Sequence, residues 1–265
     1  METGETRETG VGVLDKAMSI LLVVASDRRA WLPQEIAERT GLSLPTVYRL
    51  AQALSKHGLL MKEESRFRLG MTLLRLGLLA AEGIDVRRQA LPHLRWLNEQ
   101  TGENAELHMR QDAARMVVEV VNSPHNLRPF AEVGALLPLH RGAAGKVLLA
   151  WLPREQRRQF ALESAARLGE ERTFDFQALL AELDRVRGQG WASSEGERSA
   201  GVAAFAAPIF AAAGDVAGAM TLVVPSSRLN HELRARAIPL VREAARRASS
   251  DMGYAGATKK GEQPQ

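Results

Sequence analysis

The stretch EIAERTGLSLPTVYRL, residues 35–50, decides the fold of the first part of the chain. Apolar residues recur every three or four positions on both sides of Gly41, which predicts two short helices joined at that glycine. Glycine suits the left-handed residue that ends a helix, and Ser43 is predicted to start the next one by accepting a bond from a backbone N–H. The second helix is predicted to end at Gly58. This order is typical of a helix-turn-helix.

The segments on either side extend this motif to a winged helix-turn-helix. Before it, residues 13–25 carry apolar side chains at helical spacing, which predicts a further helix with one buried stripe. After it, residues 59–69 read as two short strands around a charged turn. A leucine-dense helix is then predicted to run to Gly83. It is apolar on too many sides to stand alone in water, so we expect it to pack against a partner chain or the next domain.

From about residue 84 helices and strands mix without βαβ regularity, which indicates an α+β domain. The predicted strands are rich in apolar and β-branched residues; they cover residues 107–109, 116–121, 127–133, 202–210 and 216–224. The last two are predicted to form a hairpin. The predicted helices cover residues 86–101, 143–151, 154–168, 176–187 and 229–252.

Composition excludes several classes of protein. The 265 residues carry a formal net charge of +4 and no cysteine, which excludes disulfides, thiolate catalysis and cysteine-bound zinc. The polar N-terminus lacks the features of a signal peptide, and we expect a soluble, cytoplasmic protein. The six histidines show no paired ligand spacing, so neither a metal nor a cofactor is predicted. Mild basicity permits a polyanionic partner without demonstrating one.

The second helix of the motif has the side chains that reading a DNA groove requires. Arginine can bind a guanine edge, glutamine an adenine edge, and threonine a thymine methyl group. Its outward positions are predicted to be Pro45, Thr46, Tyr48, Arg49, Gln52, Ala53 and Lys56. The phosphate backbone is predicted to meet Ser43, Thr46, Lys62, Arg66 and Arg68. A plain three-helix domain with solvated arginine and glutamine is the alternative, which the hairpin directly after the third helix disfavours.

Several separate stretches together resemble the IclR family of bacterial transcription regulators. They are VLDKAMSIL from residue 13, the stretch 35–50, GLL from residue 58 and FRLG from residue 67. The second half continues the resemblance with PLHRGAAGKVLLA, EGERSAGV and AAPI, which start at residues 138, 195 and 206. The motifs fall in the family's order and spacing over roughly residues 12–254, which makes the match specific.

The resemblance implies a second domain related to GAF sensor modules, with an antiparallel sheet around a small-molecule pocket. It also implies a dimer or a pair of dimers, held partly through the linker helix. The expected division is a flexible arm (1–12), a winged helix-turn-helix domain (13–70), a linker helix (71–83), an effector-binding domain (84–254) and a disordered tail (255–265). Carried over position by position, the family's pocket falls on Ala144, Gly145, Glu195, Ala204, Thr221 and Val223.

This chain departs from the family pattern at the expected pocket. Position 204 is commonly a cysteine and position 223 often a serine, while Glu195 stands where aspartate is frequent. The loss of these polar groups favours a more apolar or aromatic effector than a small hydroxy- or keto-acid. Arg141 is also unusual for the family, and its guanidinium could bind an effector carboxylate. A surface arginine paired with a nearby acid is the more ordinary interpretation.

The function predicted is sequence-specific transcriptional regulation, as repressor or activator, modulated by a small molecule. The alternatives are an enzyme acting on a small metabolite through the α+β domain, and a protein-interaction module. No complete catalytic constellation can be assembled: GAAGKV, from residue 142, lacks the spacing and hydroxyl of a phosphate loop. ERSAG, from residue 197, has glutamate where a nucleophile elbow needs glycine.

Overall fold

The structure, a computed structural model, describes residues 12–82, 85–129, 131–170 and 172–256. The ends of the expected arm, linker and tail (residues 1–11, 83 and 257–265) lie outside the described residues. The chain divides into two compact units, residues 1–83 and 84–265.

The first unit is a helical trio followed by a two-stranded wing. The helices are α1 (Gly12–Ala25), α2 (Pro33–Thr40) and α3 (Leu44–Lys56), and the strands are β1 (Leu60–Glu63) and β2 (Arg66–Leu69). Its core includes Ile20, Ile36, Val47, Leu50, Leu54 and Phe67. The backbone of Trp31 pairs with that of Phe67, which ties the α1–α2 connection to the wing. Helix α4 (Met71–Glu82) ends the unit.

The α2–α3 turn has the predicted glycine but not the predicted cap. Gly41 has φ +71°, the left-handed conformation that glycine adopts without steric cost. Its N–H donates a hydrogen bond to the carbonyl oxygen of Ala37. Ser43 does occupy the N-cap position of α3, but its hydroxyl accepts no backbone N–H. It pairs instead with the Thr46 hydroxyl, at 2.9 Å. The predicted capping bond at Ser43 is therefore wrong, because the nearest partner is a side chain.

The second unit is a six-stranded antiparallel sheet with helices on both faces. In chain order its elements are α5 (Asp85–Thr101), β3 (Asn104–Gln111), β4 (Ala114–Val121), β5 (Leu136–Pro138), α6 (Gly142–Ala150), α7 (Arg154–Ala166), α8 (Phe176–Gln189), β6 (Ala192–Glu195), β7 (Val202–Phe210), β8 (Val216–Pro225) and α9 (His231–Asp251). The strand order is β5-β4-β3-β8-β7-β6. Helices α5 and α9 pack on one face, and α6 and α8 on the other.

One predicted strand is absent, and two strands, β5 and β6, were not predicted. Among their described residues, positions 127–133 form no strand. Distant side chains occupy the backbone carbonyls there: Arg228 donates a hydrogen bond to the carbonyl of Leu127, and Asn104 donates one to the carbonyl of Pro129. Proline also removes one N–H that a strand would need. Both edge strands escaped prediction because they are short: β5 has three residues, and β6, with the sequence ASSE, is also polar.

Candidate nucleic-acid interface and ligand cavity

Helix α3 presents a polar and cationic face to solvent. Its apolar residues face the core, and this leaves Pro45, Tyr48, Arg49, Gln52, Ala53 and Lys56 exposed, with Thr46 half-buried. The helix contains no acidic residue. Within the described part of the chain, the side chains of Arg49, Gln52 and Lys56 make no hydrogen bond or ion pair, so their donors are free for a ligand.

The wing holds two of its cations in internal contacts. Arg66 donates to the carbonyl of Ala30 at 3.2 Å, and Arg68 pairs with Glu63 at 2.6 Å. Lys62, on β1, is exposed and has no such partner among the described residues. Arg66 and Arg68 can still meet phosphate, because both are exposed and a guanidinium has five N–H donors.

A cationic cluster at the start of α2 was not predicted from sequence. The guanidiniums of Arg29 and Arg39 lie over the Trp31 ring, 3.9 and 5.4 Å from its centre. Arg29 also pairs with Glu35 at 2.8 Å. The Leu32 N–H and Arg29 hold the pKa of Glu35 below its usual value. Arg29 and Arg39 are both exposed, so they add positive charge to the surface around α2. The arginine-rich sequence around a lone tryptophan was the available signal.

A small, partly enclosed cavity lies between the sheet of the second unit and the start of α6. Its volume is about 30 Å³, enough for one or two water molecules. Three of the positions predicted for the effector pocket, Ala144, Ala204 and Val223, line it. Sequence reasoning missed the four ionisable residues of the lining, Glu106, His108, Arg115 and Arg198. They come from β3, β4 and the β6–β7 loop.

Three of these ionisable residues form a buried chain of hydrogen bonds. Arg115 Nη1 lies 3.0 Å from His108 Nδ1, and His108 Nε2 lies 2.9 Å from Glu106 Oε2. Burial lowers the pKa of His108, and it lowers the pKa of Arg115 to about 10. Burial is the largest influence on the pKa of Glu106 and raises it. The hydrogen bond with His108 and the charges of His108, Arg115 and Arg198 together outweigh burial and leave that pKa below its usual value. Glu106 and Arg115 are therefore both charged at neutral pH.

Two predicted pocket residues contribute to packing near the cavity. Thr221 is buried directly across from Glu106 in the β3–β8 register. Gly145 allows α6 to sit against the preceding segment, because a Cβ there would lie 2.2 Å from the carbonyl oxygen of Leu139. Neither residue lines the cavity itself.

Two other predicted residues point elsewhere. Glu195 is half-exposed and pairs with Arg234 at 2.8 Å, and Arg141 is 42% exposed and pairs with Glu170 at 2.7 Å. The acid that meets α6 is Glu197, whose carboxylate accepts from the Gly142 N–H at 2.9 Å and from Lys146. A carboxylate at a helix N-terminus is stabilised by the free N–H groups there.

A buried serine, histidine and glutamate align as in a hydrolase triad but cannot act as one. Ser164 lies 2.8 Å from His140 Nδ1, and His140 Nε2 lies 3.2 Å from Glu170. The Ser164 hydroxyl is buried and accepts the Leu139 N–H at 2.8 Å. A nucleophile must reach its substrate, whereas this oxygen fastens the segment before α6.

A second concave region lies at the end of α9. It is a wider groove of about 530 Å³, whose aromatic lining is Trp151, Phe210 and Tyr254. These rings contact one another, with Phe210 stacked on Tyr254 at 4.8 Å and edge-on to Trp151. None of the predicted effector-binding residues lies there. Among the described residues, no His, Asp or Glu cluster could hold a metal ion, and no helix is long and apolar enough to cross a membrane.

Comparison with known proteins assigns both units to the same protein family. Residues 13–64 match the model of the IclR helix-turn-helix domain, and residues 79–250 match that of the bacterial transcriptional regulator IclR C-terminal domain. The transcriptional regulator KdgR of Escherichia coli is 30% identical over 242 residues, which cover 90% of this chain and 92% of KdgR. The glycerol operon regulatory protein of Streptomyces coelicolor is 31% identical over 245 residues, 91% of this chain and 96% of that protein.

Solved structures show the same fold. An IclR transcriptional regulator from Alicyclobacillus acidocaldarius superposes with a TM-score of 0.78 at 26% identity, over 92% of this chain and all of that one. An IclR homologue from Microbacterium hydrocarbonoxydans, solved in complex with 4-hydroxybenzoate, has a TM-score of 0.77 at 23% identity. That alignment covers 91% of this chain and 98% of the homologue.

Proposed function

Because this chain belongs to the IclR family of bacterial transcriptional regulators, we propose that α3 reads its operator and that the cavity beneath α6 receives its effector. The protein is a DNA-binding regulator and not an enzyme, as its relatives are. Such a protein acts where the chromosome is, so we place it in the cytoplasm.

The observation that carries the DNA proposal is the unpaired polar face of α3. Arg49 and Gln52 are exposed, uncommitted to internal bonds and one helical turn apart, so both can reach base edges in the same groove. Thr46 stands one turn earlier. Pro45, Tyr48 and Lys56 flank them, and Ser43, Lys62, Arg66 and Arg68 contact phosphate in this proposal.

Arg49→Ala tests this assignment. We expect it to weaken operator binding by about 1–3 kcal/mol and to relax the preference at one base pair, because a bidentate contact with guanine is lost. The operator is first obtained by selecting genomic fragments with the wild-type protein at near-physiological salt. Arg95→Ala, an equal loss of charge on α5, is the matched control. If Arg49→Ala keeps the full sequence preference, α3 does not read DNA through Arg49.

The effector proposal rests on the cavity beneath α6. Three positions of the family pocket, Ala144, Ala204 and Val223, converge there together with buried charges, which is the usual composition of a small-molecule site. A relative in this family is solved with 4-hydroxybenzoate. A cavity of about 30 Å³ is too small for any organic acid, so effector binding must open it. This opening gives the ligand a conformational equilibrium that it can shift.

A homodimer, alone or paired into a tetramer, completes the proposal. Helices α1 and α4 both expose apolar side chains, such as Leu22 at 65%, Leu74 at 53% and Leu79 at 58%. Isolated exposed leucines need no explanation, but two helices with several each indicate a covered surface. A second copy of the chain is the occupant that we propose, because dimeric helix-turn-helix proteins read paired half-sites.

A further inference from the structure

The orientation of the buried hydrogen-bond chain follows from arginine chemistry. A guanidinium only donates, so His108 Nδ1 must accept from Arg115. The His108 proton then lies on Nε2, which donates to Glu106 Oε2. His108 is neutral and passes no free donor to the cavity. All three residues are at least 96% buried, which fixes the arrangement.

The hydrogen-bond chain of Arg115, His108 and Glu106 leaves one strong acceptor without a donor. Glu106 Oε1 is buried and has no hydrogen-bond partner among the described residues, although Glu106 lines the cavity. An unsatisfied carboxylate oxygen in a buried site costs more free energy than an unsatisfied neutral group. A ligand that donates a hydrogen bond to Oε1 would remove this cost. The position therefore favours hydroxyl or ammonium groups over ether, keto or methyl groups.

The charges that line the cavity also favour a ligand with one negative charge. Arg115 and Arg198 are cationic, Glu106 is anionic and His108 is neutral, which leaves one surplus positive charge. Arg115 Nη2 lies on the cavity side, 3.2 Å from where a Cβ on Gly142 would stand. The N–H groups of Gly142 and Ala143 at the start of α6 are already bound by Glu197 and Ser194. The guanidiniums are thus the free anion-binding groups.

Given the proposed function, we infer that the effector is a small carboxylic acid that also bears a hydroxyl or ammonium group. Its carboxylate binds Arg115 and Arg198, and its donor group binds Glu106 Oε1. Glu106 is the residue that determines specificity, because it rejects acids that lack the donor. The reason is the unpaired oxygen that such acids would leave buried. Both aliphatic and aromatic hydroxy acids satisfy this chemistry.

The test uses sets of acids that differ in one group. Propanoate, 2-hydroxypropanoate, 2-oxopropanoate and alanine form one set, and butanoate, hexanoate and benzoate with their hydroxy, oxo and amino counterparts form the others. Each is added at 10 mM to the full-length protein, and the thermal midpoint is measured. In at least one set we expect the hydroxy or amino acid to raise the midpoint by about 2 °C or more, and the unsubstituted acid to raise it less.

Three variants separate the two contacts. Glu106→Gln should weaken the preferred acid about tenfold or more and abolish its advantage over the unsubstituted acid. Arg198→Gln, on a half-exposed loop residue, should weaken all members of that set alike and does not endanger folding. Glu119→Gln is the control: Glu119 lies opposite Leu107 in the β3–β4 register and does not line the cavity, so the preference should persist.

The inference is overturned if no acid in any set raises the midpoint, or if unsubstituted acids do so as well as their hydroxy and amino counterparts. A preference that survives Glu106→Gln overturns it too, provided that the variant is folded by circular dichroism. Should Glu106→Gln not fold, an unequal effect of Arg198→Gln within one set would contradict the carboxylate contact. Failure of the acids while the protein still selects one DNA sequence rejects this inference alone. Absence of DNA selection rejects the proposed function itself.

Discussion

At the scale of single residues, Gly145 decides whether α6 can reach its place against the sheet. A Cβ on Gly145 would lie 2.2 Å from the oxygen and 2.9 Å from the carbon of the Leu139 carbonyl. Backbone cannot move aside as a side chain can. We therefore expect Gly145→Ala to destabilise the second unit by about 3 kcal/mol in urea unfolding.

Gly188→Ala is the matched control for that prediction. Gly188 is also a helical glycine of the second unit, in α8, but a Cβ there meets nothing within 4 Å. Alanine has the higher helix propensity, so this change should be neutral or stabilise by up to about 1 kcal/mol. Equal effects at Gly145 and Gly188 would show that the close approach to Leu139 is not limiting.

The two buried histidines predict how stability depends on pH. Burial holds the pKa of His108 and of His140 below the ordinary value of 6.5. Below pH 6.5 the unfolded chain therefore takes up protons that the folded chain does not. The free energy of unfolding should fall as the pH drops from 7 to 5, and each histidine can contribute at most about 1.4 kcal/mol per pH unit. His140→Gln should flatten this slope in urea unfolding at pH 7, 6 and 5. A slope identical to that of the wild type would contradict it.

The sequence did not reveal that the ionisable residues of the cavity lining are buried. Glu106 and His108 alternate with the apolar residues Ala105 and Leu107, which is the pattern of a strand with one solvated face. In the structure that face is covered by α6, so both polar residues are buried. Only tertiary packing brings Arg115 and Arg198 to the same cavity. The apolar or aromatic effector was predicted from Ala204 and Val223, which represent only the apolar part of the lining.

At the scale of elements, the first unit was more predictable than the second. Helical spacing around Gly41 and the strand signal at residues 59–69 are local, and the helices and wing form there. The prediction of a strand at residues 127–133 failed for a nonlocal reason, because carbonyls of this segment accept hydrogen bonds from the side chains of Asn104 and Arg228. A composition typical of strands cannot reveal distant side chains that compete for the backbone.

The wing offers a prediction at this scale that separates phosphate contact from base reading. Lys62 is exposed, whereas Arg66 and Arg68 share their charges with internal partners. Lys62→Gln should weaken binding to all DNA sequences about equally and lower the slope of log affinity against log salt by about 1. The measurement is a titration of operator and of scrambled DNA at several salt concentrations. A loss confined to the operator would instead assign Lys62 to base reading.

At the scale of the whole molecule, regulation requires that the effector bind the DNA-competent state and the other state of the protein with different affinities. A ligand shifts an equilibrium only by the difference in its affinity for the two states. If the cavity beneath α6 is the effector site, as proposed, its volume of about 30 Å³ makes the present structure a state that excludes the effector. Linkage then requires the effector to change operator affinity by the same factor by which operator changes effector affinity.

Assembly is the property that leaves the clearest trace on the surface and the weakest trace in the sequence. The leucine pattern of α4 predicted burial against the next domain or another chain without deciding between them, and only the family resemblance implied a dimer through this helix. Leu74 and Leu79 remain more than half exposed in the described residues, as Leu22 on α1 does. Burial of several such side chains, each worth about 2 kcal/mol, is enough to offset the entropic cost of association.

Leu74→Glu should therefore dissociate the protein. The wild type at micromolar concentration is expected to sediment as a dimer or larger, and the variant to sediment as a monomer with weaker operator binding, because one copy reaches only one half-site. Leu168→Glu is the matched control, since Leu168 is 49% exposed and lies after α7, outside both helices of the proposed interface. It should leave the assembly unchanged. If Leu74→Glu still sediments with the wild type while Leu22→Glu dissociates, the interface is formed by α1 without α4. If neither dissociates it, the second copy does not cover these faces, and the exposed leucines need another occupant.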